Sequence, residues 1–379
     1  MLRKSIKRVD KNEMIRLAKP FIPDEAIEEL RAVLASGHLI QGPQVDHFES
    51  LLADYLEVSH LILVSSGTAA LHLSLAVLGI HEGDEIIVPA FTFPATANVI
   101  ELQGATPVLV DIHLNDFCIE PKLIERKITK RTKAILPVHE FGQAAEIIGI
   151  LEVARSYQLP VVEDAACAIG TEYGGKKAGT WGEIGCFSFH PRKTITTGEG
   201  GAVVTENSEI ARRIRSLRNH GMVTAHGRPD FNDAGFNYRM TDLQAALGKC
   251  QMPYLHKMIE KRKEIATAYE KGLAPLEWIK TPRAIKNRQH SFQTYHILVG
   301  EEVERDNLMD YLKKNQIETN IGAYALQCLS YFKKKYGYQE SDFPNAAIAY
   351  RRGLALPIGN HMTEEDVTTV IDVLTHFHP

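Results

Sequence analysis

From about Ser65 to Val204, short apolar runs rich in β-branched residues alternate with stretches of helical period. The runs include Glu85-Ile-Ile-Val-Pro, Pro107-Val-Leu-Val-Asp, Lys133-Ala-Ile-Leu-Pro-Val and Leu159-Pro-Val-Val-Glu-Asp. They are continuous rather than alternating, which suits strands covered on both faces. The pattern predicts an α/β large domain built on a mostly parallel sheet with crossover helices, its ligand site at the carboxyl ends of the strands. Between Thr241 and about Leu273 the apolar positions Leu243, Leu247, Met252, Leu255 and Ile259 share one helical face, predicting a helical link. Beyond Trp278, a strand-like Thr294-Tyr-His-Ile-Leu-Val and helical segments around Glu304–Asn315 and Thr363–His376 predict a smaller α+β C-terminal domain. The expected division is residues 1–250 for an N-terminal arm and the large domain, and 251–379 for the small one.

Composition narrows the function classes. The 379-residue chain is long enough to bury a sizeable core, and its 43 Lys+Arg nearly balance 47 Asp+Glu. A formal charge of -4 argues against a nucleic-acid binder, which needs a basic surface, so no nucleic-acid partner is expected. Arg3, Lys4, Lys7, Arg8 and Lys11 make Met1–Asn12 read as a solvated arm, with no apolar stretch of signal-peptide length behind it. No window has the uninterrupted apolar length of a membrane span, so no membrane association is expected. Five widely spaced cysteines without a Cys-x-x-Cys point to neither a disulfide framework nor a zinc site, and a reducing cytoplasm is the expected location.

Three stretches carry chemistry. In Val64-Ser-Ser-Gly-Thr-Ala-Ala-Leu, an apolar strand ends in small residues before a helix begins. Unpaired N–H groups there, with the Ser66 and Thr68 hydroxyls, suit a phosphate, or form an ordinary helix cap. In Val161-Val-Glu-Asp-Ala-Ala-Cys-Ala, Glu163 and Asp164 end a strand beside small residues. A carboxylate there pairs with a pyridine nitrogen and keeps the ring cationic, or merely caps the next helix. The third stretch, Gly185-Cys-Phe-Ser-Phe-His-Pro-Arg-Lys-Thr-Ile-Thr-Thr-Gly-Glu-Gly-Gly, sets Lys193 between two strand-like runs. Phe187, Phe189 and Pro191 on one side and a glycine-rich turn on the other suggest a partly enclosed amine. Partial desolvation and the neighbouring Arg192 favour the neutral amine that imine formation needs.

The order of these stretches, phosphate loop, acidic strand end, enclosed lysine, resembles the DegT/StrS family of sugar aminotransferases. That family sits in the fold type I superfamily of pyridoxal-phosphate (PLP) enzymes. The resemblance runs over nearly the whole chain, through Gln41-Gly-Pro, Ser65-Ser-Gly-Thr-Ala-Ala-Leu, Pro89-Ala-Phe-Thr-Phe-Pro-Ala-Thr, Glu163-Asp-Ala-Ala, Ser188-Phe-His-Pro-Arg-Lys193, Glu199-Gly-Gly, Asn219-His-Gly and Gly235-Phe-Asn-Tyr-Arg-Met-Thr-Asp.

The resemblance implies PLP as cofactor, held by Lys193 as a Schiff base, with Lys193 also moving protons. It implies that Asp164 pairs with the pyridine nitrogen and that Ser66, Gly67, Thr68 and Ser188 bind the phosphate. Phe93 matches an aromatic that stacks on the ring, and Asn237 matches a residue that reaches the phosphate across a homodimer interface. Cys167 stands where many family members carry Gln or His able to hydrogen-bond the ring oxygen, and is a weaker donor. An inert buried thiol is favoured over a redox or nucleophilic one. No metal site is expected.

The implied reaction moves an amino group from L-glutamate to a keto-sugar, nucleotide-linked, in amino-sugar or surface-polysaccharide biosynthesis. Lys193-Thr-Ile-Thr-Thr-Gly-Glu-Gly-Gly resembles members acting at sugar C-4 rather than the Lys-Asn-Leu-Gly of C-3 enzymes. A free keto-sugar or cyclitol acceptor is an alternative, as is a non-catalytic regulatory member. Lys193 argues against the dehydratase branch, which has histidine there. Substrate contacts are expected from Gly37–Gly42, His190, Arg192 and the region of Tyr324.

Overall fold

The computed structural model describes residues 14–283 and 285–378, so the basic stretch Met1–Asn12 lies outside the described residues. Seven strands form the main sheet: β1 (His60–Val64), β2 (Glu85–Pro89), β3 (Thr106–Val110), β4 (Thr132–Ile135), β5 (Val162–Asp164), β6 (Ile184–Ser188) and β7 (Gly201–Thr205). Two ladders, β3-β2-β4 and β5-β6-β7-β1, are joined by parallel bridges from Ile135 to Val161 and from Val138 to Asp164. β3, β2, β4, β5 and β6 run parallel, while β7 runs antiparallel to both β6 and β1. The sheet is therefore mostly parallel, as the apolar runs predict.

The reason those runs are continuous is visible in β1. Leu61 and Leu63 point into one apolar cluster with Phe48 and Phe187, while Ile62 and Val64 point into another with Val88 and Leu73. Successive side chains in a strand face opposite sides, so a strand covered on both must be apolar throughout. Every residue of β2 is buried for the same reason.

Helices α1 (Glu25–Ser36) and α2 (Pro43–Leu56) precede β1; α3 (Gly67–Val77) follows it, and α4 (Ala95–Leu102) follows β2. The helical link is present and is made of two helices rather than one. It is α5 (Asp242–Lys249), a 3-10 turn at Met252–Tyr254, then α6 (Leu255–Leu273). Pro253 lacks the N–H that an unbroken helix needs, so the chain bends there. Beyond it, β8 (Ile279–Lys280), β9 (Tyr295–Val299) and β10 (Gly353–Leu356) form an antiparallel sheet. This sheet shares an apolar cluster with α6 and α7 (Glu364–Thr375). The first described residues run along this C-terminal part: Ile15 bridges Ile317, and the Leu17 N–H donates to Glu318 Oε2 at 3.0 Å. No described helix is long and apolar enough to cross a membrane.

Candidate active site

A cavity of about 380 Å³ opens between the carboxyl ends of the main-sheet strands and the C-terminal part of the chain. Ser66, Gly67, Thr68, Phe93, Asp164, Cys167, Ser188 and Lys193 all line it. They come from four separate segments, and the parallel sheet collects them because consecutive strands deliver their ends to one edge.

At one end lies the turn from β1 into α3. Ser66 Oγ accepts from the Ala69 N–H at 3.0 Å, so that hydroxyl is a helix cap here. The first N–H groups of α3 have no acceptor within the helix and lie under a positive helix end. A Cβ placed on Gly67 would lie 2.8 Å from Ser188 Cβ, and one on Gly201 would lie 2.5 Å from Ser66 O. The turn thus packs directly against the end of β6 and the start of β7, and a side chain at 67 or 201 would push them apart.

Asp164 ends β5 inside the cavity and is buried. Its Oδ2 accepts from Thr96 Oγ1 at 2.8 Å and its Oδ1 from the Ala166 N–H at 3.1 Å. Burial raises its carboxyl above the ordinary range, against the lowering by these hydrogen bonds and by Lys193. A cation beside it reverses that desolvation cost, so the position suits a protonated ring nitrogen. Its neighbour Glu163 points to the other face. There it takes the buried His139 Nε2 at 2.8 Å and the backbone N–H groups of Gly179, Trp181 and Gly182, so its work is structural.

Lys193 sits in the loop from β6 to β7, and the C-terminal half of the chain fixes that loop. Gln251 pairs with the backbone of Thr196 through both amide atoms, while Gln293 accepts from Thr194 Oγ1 at 3.0 Å and donates to Arg192 O at 2.6 Å. Lys193 Nζ donates to Cys167 Sγ at 2.9 Å. Burial pushes the Cys167 thiol up although Lys193 pulls it down, which keeps the sulfur a thiol. His190 and Arg192 also line the cavity; burial lowers the His190 imidazole.

Phe93 lines the cavity with 56% of its surface exposed and meets Tyr324 edge-on, their ring centres 6.3 Å apart. Asn237 is exposed, forms a bridge with Asn219, and is not among the cavity-lining residues of this chain. Gly42 lies outside the lining too: its N–H donates to the buried Asp242 Oδ1 at 2.9 Å. Asp242, from the Met-Thr-Asp stretch, therefore ties the start of α2 to the start of α5.

Sequence reasoning passed over Thr92, Thr96, Glu140, Phe141, Gln293 and Asn320, which also line the cavity. For Glu140 a signal existed, since Val138-His-Glu-Phe-Gly directly follows the apolar run that forms β4. Gln293 and Asn320 had none, because only the docking of the C-terminal part brings them near.

These parts fit PLP: an amine for its aldehyde, a buried carboxyl for its nitrogen, and a helix start with Gly67, Thr68 and Ser188 at the cavity wall for its phosphate. Such a cleft on such a sheet is that of a fold type I enzyme that moves amino groups. The family model of the DegT/DnrJ/EryC1/StrS aminotransferase family matches residues 20–375, and the chain belongs to that family. The spore coat polysaccharide biosynthesis protein SpsC of Bacillus subtilis is 38% identical over 377 residues, covering 96% of this chain and 97% of that protein. Spr1654 from Streptococcus pneumoniae in its PMP-form superposes with a TM-score of 0.91 at 29% identity, covering 96% of this chain and 99% of that one. Its PLP-form gives 0.90 at 29% identity, with 95% and 97% covered. Helicobacter pylori PseC, an aminotransferase involved in the biosynthesis of pseudoaminic acid, gives 0.91 at 28% identity, with 96% and 98% covered. The chain is a PLP-dependent aminotransferase.

Proposed function

We propose that this aminotransferase takes its amino group from L-glutamate and delivers it to a nucleotide-linked keto-sugar, forming a 4-amino sugar for a surface polysaccharide. The carrying observation is that the cavity extends beyond Lys193, past His190 and Arg192, to Asn320 on the C-terminal side. His190, Arg192 and Asn320 offer polar groups to a hydroxyl-rich acceptor from a wall that is otherwise largely apolar. The exposed Arg192 at its rim suits a diphosphate. SpsC and PseC, by their names, serve polysaccharide and pseudoaminic acid biosynthesis. The C-4 assignment rests on the Lys193-Thr-Ile-Thr-Thr-Gly-Glu-Gly-Gly pattern.

Bound PLP supplies an electron sink that stabilises negative charge at the carbon losing its proton. In this reading Lys193 would hold the cofactor through Nζ, and the same atom would carry the proton that the transfer moves. Asp164 keeps the ring nitrogen protonated, and Thr96 fixes the carboxylate that does so. Phe93 covers one ring face, and the α3 turn with Ser188 holds the phosphate. Asn237 of a second copy completes that phosphate site. An exposed apolar stripe, Ile27 (58%) and Leu34 (59%) on α1 with Ile40 (66%), is the surface we assign to that dimer. We place the enzyme in the cytoplasm.

The first test is the visible spectrum of the PLP-loaded protein before and after L-glutamate, beside a Lys193→Ala control. Conversion in the wild type alone supports the donor half; a spectrum unmoved by glutamate overturns the donor. The converted protein is then offered 4-keto and 3-keto nucleotide sugars, free keto-sugars and cyclitol ketones. Return of the starting spectrum with a 3-keto sugar or a free acceptor only overturns the acceptor.

A further inference from the structure

Glu140 is a buried carboxyl in the wall of the active-site cavity, and its Oε2 has no hydrogen-bond partner among the described residues. Its placement is enforced. His139 before it is locked: Nδ1 accepts from the Ala145 N–H at 3.0 Å, so Nε2 carries the proton given to Glu163. Phe141 after it is held at a left-handed φ of 57° and stacks on the buried His296, ring centres 4.2 Å apart. A phenylalanine in that region stores about 1–3 kcal/mol of strain, kept only where packing on every side requires it. The carboxyl is thus pinned from both neighbours.

Several charged or titratable groups face it. Asp164 and Lys193 act on it most strongly, Cys167 and Cys118 lie within its electrostatic reach, and the neutral Thr92 hydroxyl adjoins it. Burial, then the charge of Asp164, push Glu140 up to about 8, against a downward pull from Lys193.

The chemistry of the ring tells which of its edges Glu140 meets. Going round a pyridoxal ring, the nitrogen and the aldehyde carbon lie opposite one another. One edge between them carries the phosphate arm, the other a methyl and the phenolic oxygen. Asp164 marks the nitrogen end, Lys193 the aldehyde end, and the α3 turn the phosphate edge. Glu140 lines the same cavity as Asp164 and Lys193, with Oε2 unpartnered, yet belongs to the loop after β4 and not to the α3 turn. The remaining edge is the one bearing the phenolic oxygen. Cys167, touching Lys193, is the other group there and a weak donor.

We propose that Glu140 is a cofactor-binding residue whose neutral carboxyl donates a hydrogen bond to the phenolic oxygen of PLP. A neutral donor stabilises the phenolate, and its loss leaves that charge unpaired in a buried site. The sign with pH follows. Below about 8 Glu140 holds its proton and donates; above, it becomes a carboxylate facing a phenolate and binding weakens.

The test compares wild type, Glu140→Gln and Glu140→Leu for PLP dissociation constant by equilibrium dialysis, and for the pH midpoint of the bound cofactor's visible absorption. Gln keeps a neutral donor and cannot ionise; Leu keeps the bulk and donates nothing. In the Leu variant PLP affinity is expected to fall about tenfold and the absorption midpoint to rise by about one pH unit. The wild-type to Gln affinity ratio is expected to fall about tenfold between pH 7 and pH 9, since effects of Lys193 and the phosphate cancel in it. Melting of the cofactor-free variants checks that each is folded, and the Gln variant serves if the Leu variant is not. Parallel pH profiles for wild type and Gln overturn the proposal, as does a Leu variant that binds and titrates like wild type.

Discussion

At the scale of single residues, the cavity depends on what neighbours do to each group. Asp164 is costly to charge where it lies and becomes useful only beside a cation, so its worth appears with the cofactor bound. Replacing it with Asn keeps the shape and the Thr96 contact but removes the partner of the ring nitrogen. We expect Asp164→Asn to bind PLP and to lose about 10²–10⁴-fold in the rate of the glutamate half-reaction, read in single-turnover absorption. Gly67 is needed for absence of bulk rather than for conformation. Gly67→Ala drives a methyl against Ser188 Cβ, and the displaced turn is expected to weaken PLP binding about tenfold or more, by equilibrium dialysis.

At the scale of elements, strands and caps were the most legible. The run Glu85-Ile-Ile-Val-Pro coincides with β2, because both of its faces are buried and nothing in it alternates. Ser66 and Thr241 cap α3 and α5, the latter in a full capping box with Gln244. The stretch from Thr241 to Leu273 is helical as its apolar period predicts, and Pro253, lacking an N–H, divides it into two helices. Asp242 shows what an element needs from far along the chain: it accepts from the N–H groups of Gly42 and Val45, at 2.9 and 3.0 Å. Asp242→Ala leaves both donors without this acceptor where α2 begins. We expect a loss of about 1–3 kcal/mol in urea unfolding, with the α2 start exchanging its amide hydrogens faster.

At the scale of the whole molecule, the C-terminal part is what closes the site. Gln293 and Gln251 hold the loop that presents Lys193, and Asn320 completes the far wall. The exposed stripe on α1 and the exposed Asn237 lead to a prediction about assembly. Sedimentation should give a species of twice 42.3 kDa, and Leu34→Glu should shift it toward monomer while weakening PLP binding, because Asn237 then loses its place. A monomeric wild type that binds PLP tightly speaks against the shared phosphate site.

The amino-acid sequence alone determined the mostly parallel sheet, since burial on both faces leaves its mark in every residue of a strand. Its strand ends pointed to Ser66, Asp164 and Lys193, and its family resemblance to Gly67, Cys167 and Ser188, all of which line one cavity because strand ends of a parallel sheet share one edge. Tertiary structure decided the rest. Glu163 and Asp164 are adjacent in sequence and look alike as strand-end acids, yet the pleat sends one to His139 and the other into the cavity. Glu140 follows a strand run that marks it as near the sheet edge, but only the fold shows it buried between a locked histidine and a stacked phenylalanine. Burial and partnership are properties of three-dimensional neighbours, and those neighbours lie tens to hundreds of residues away along the chain.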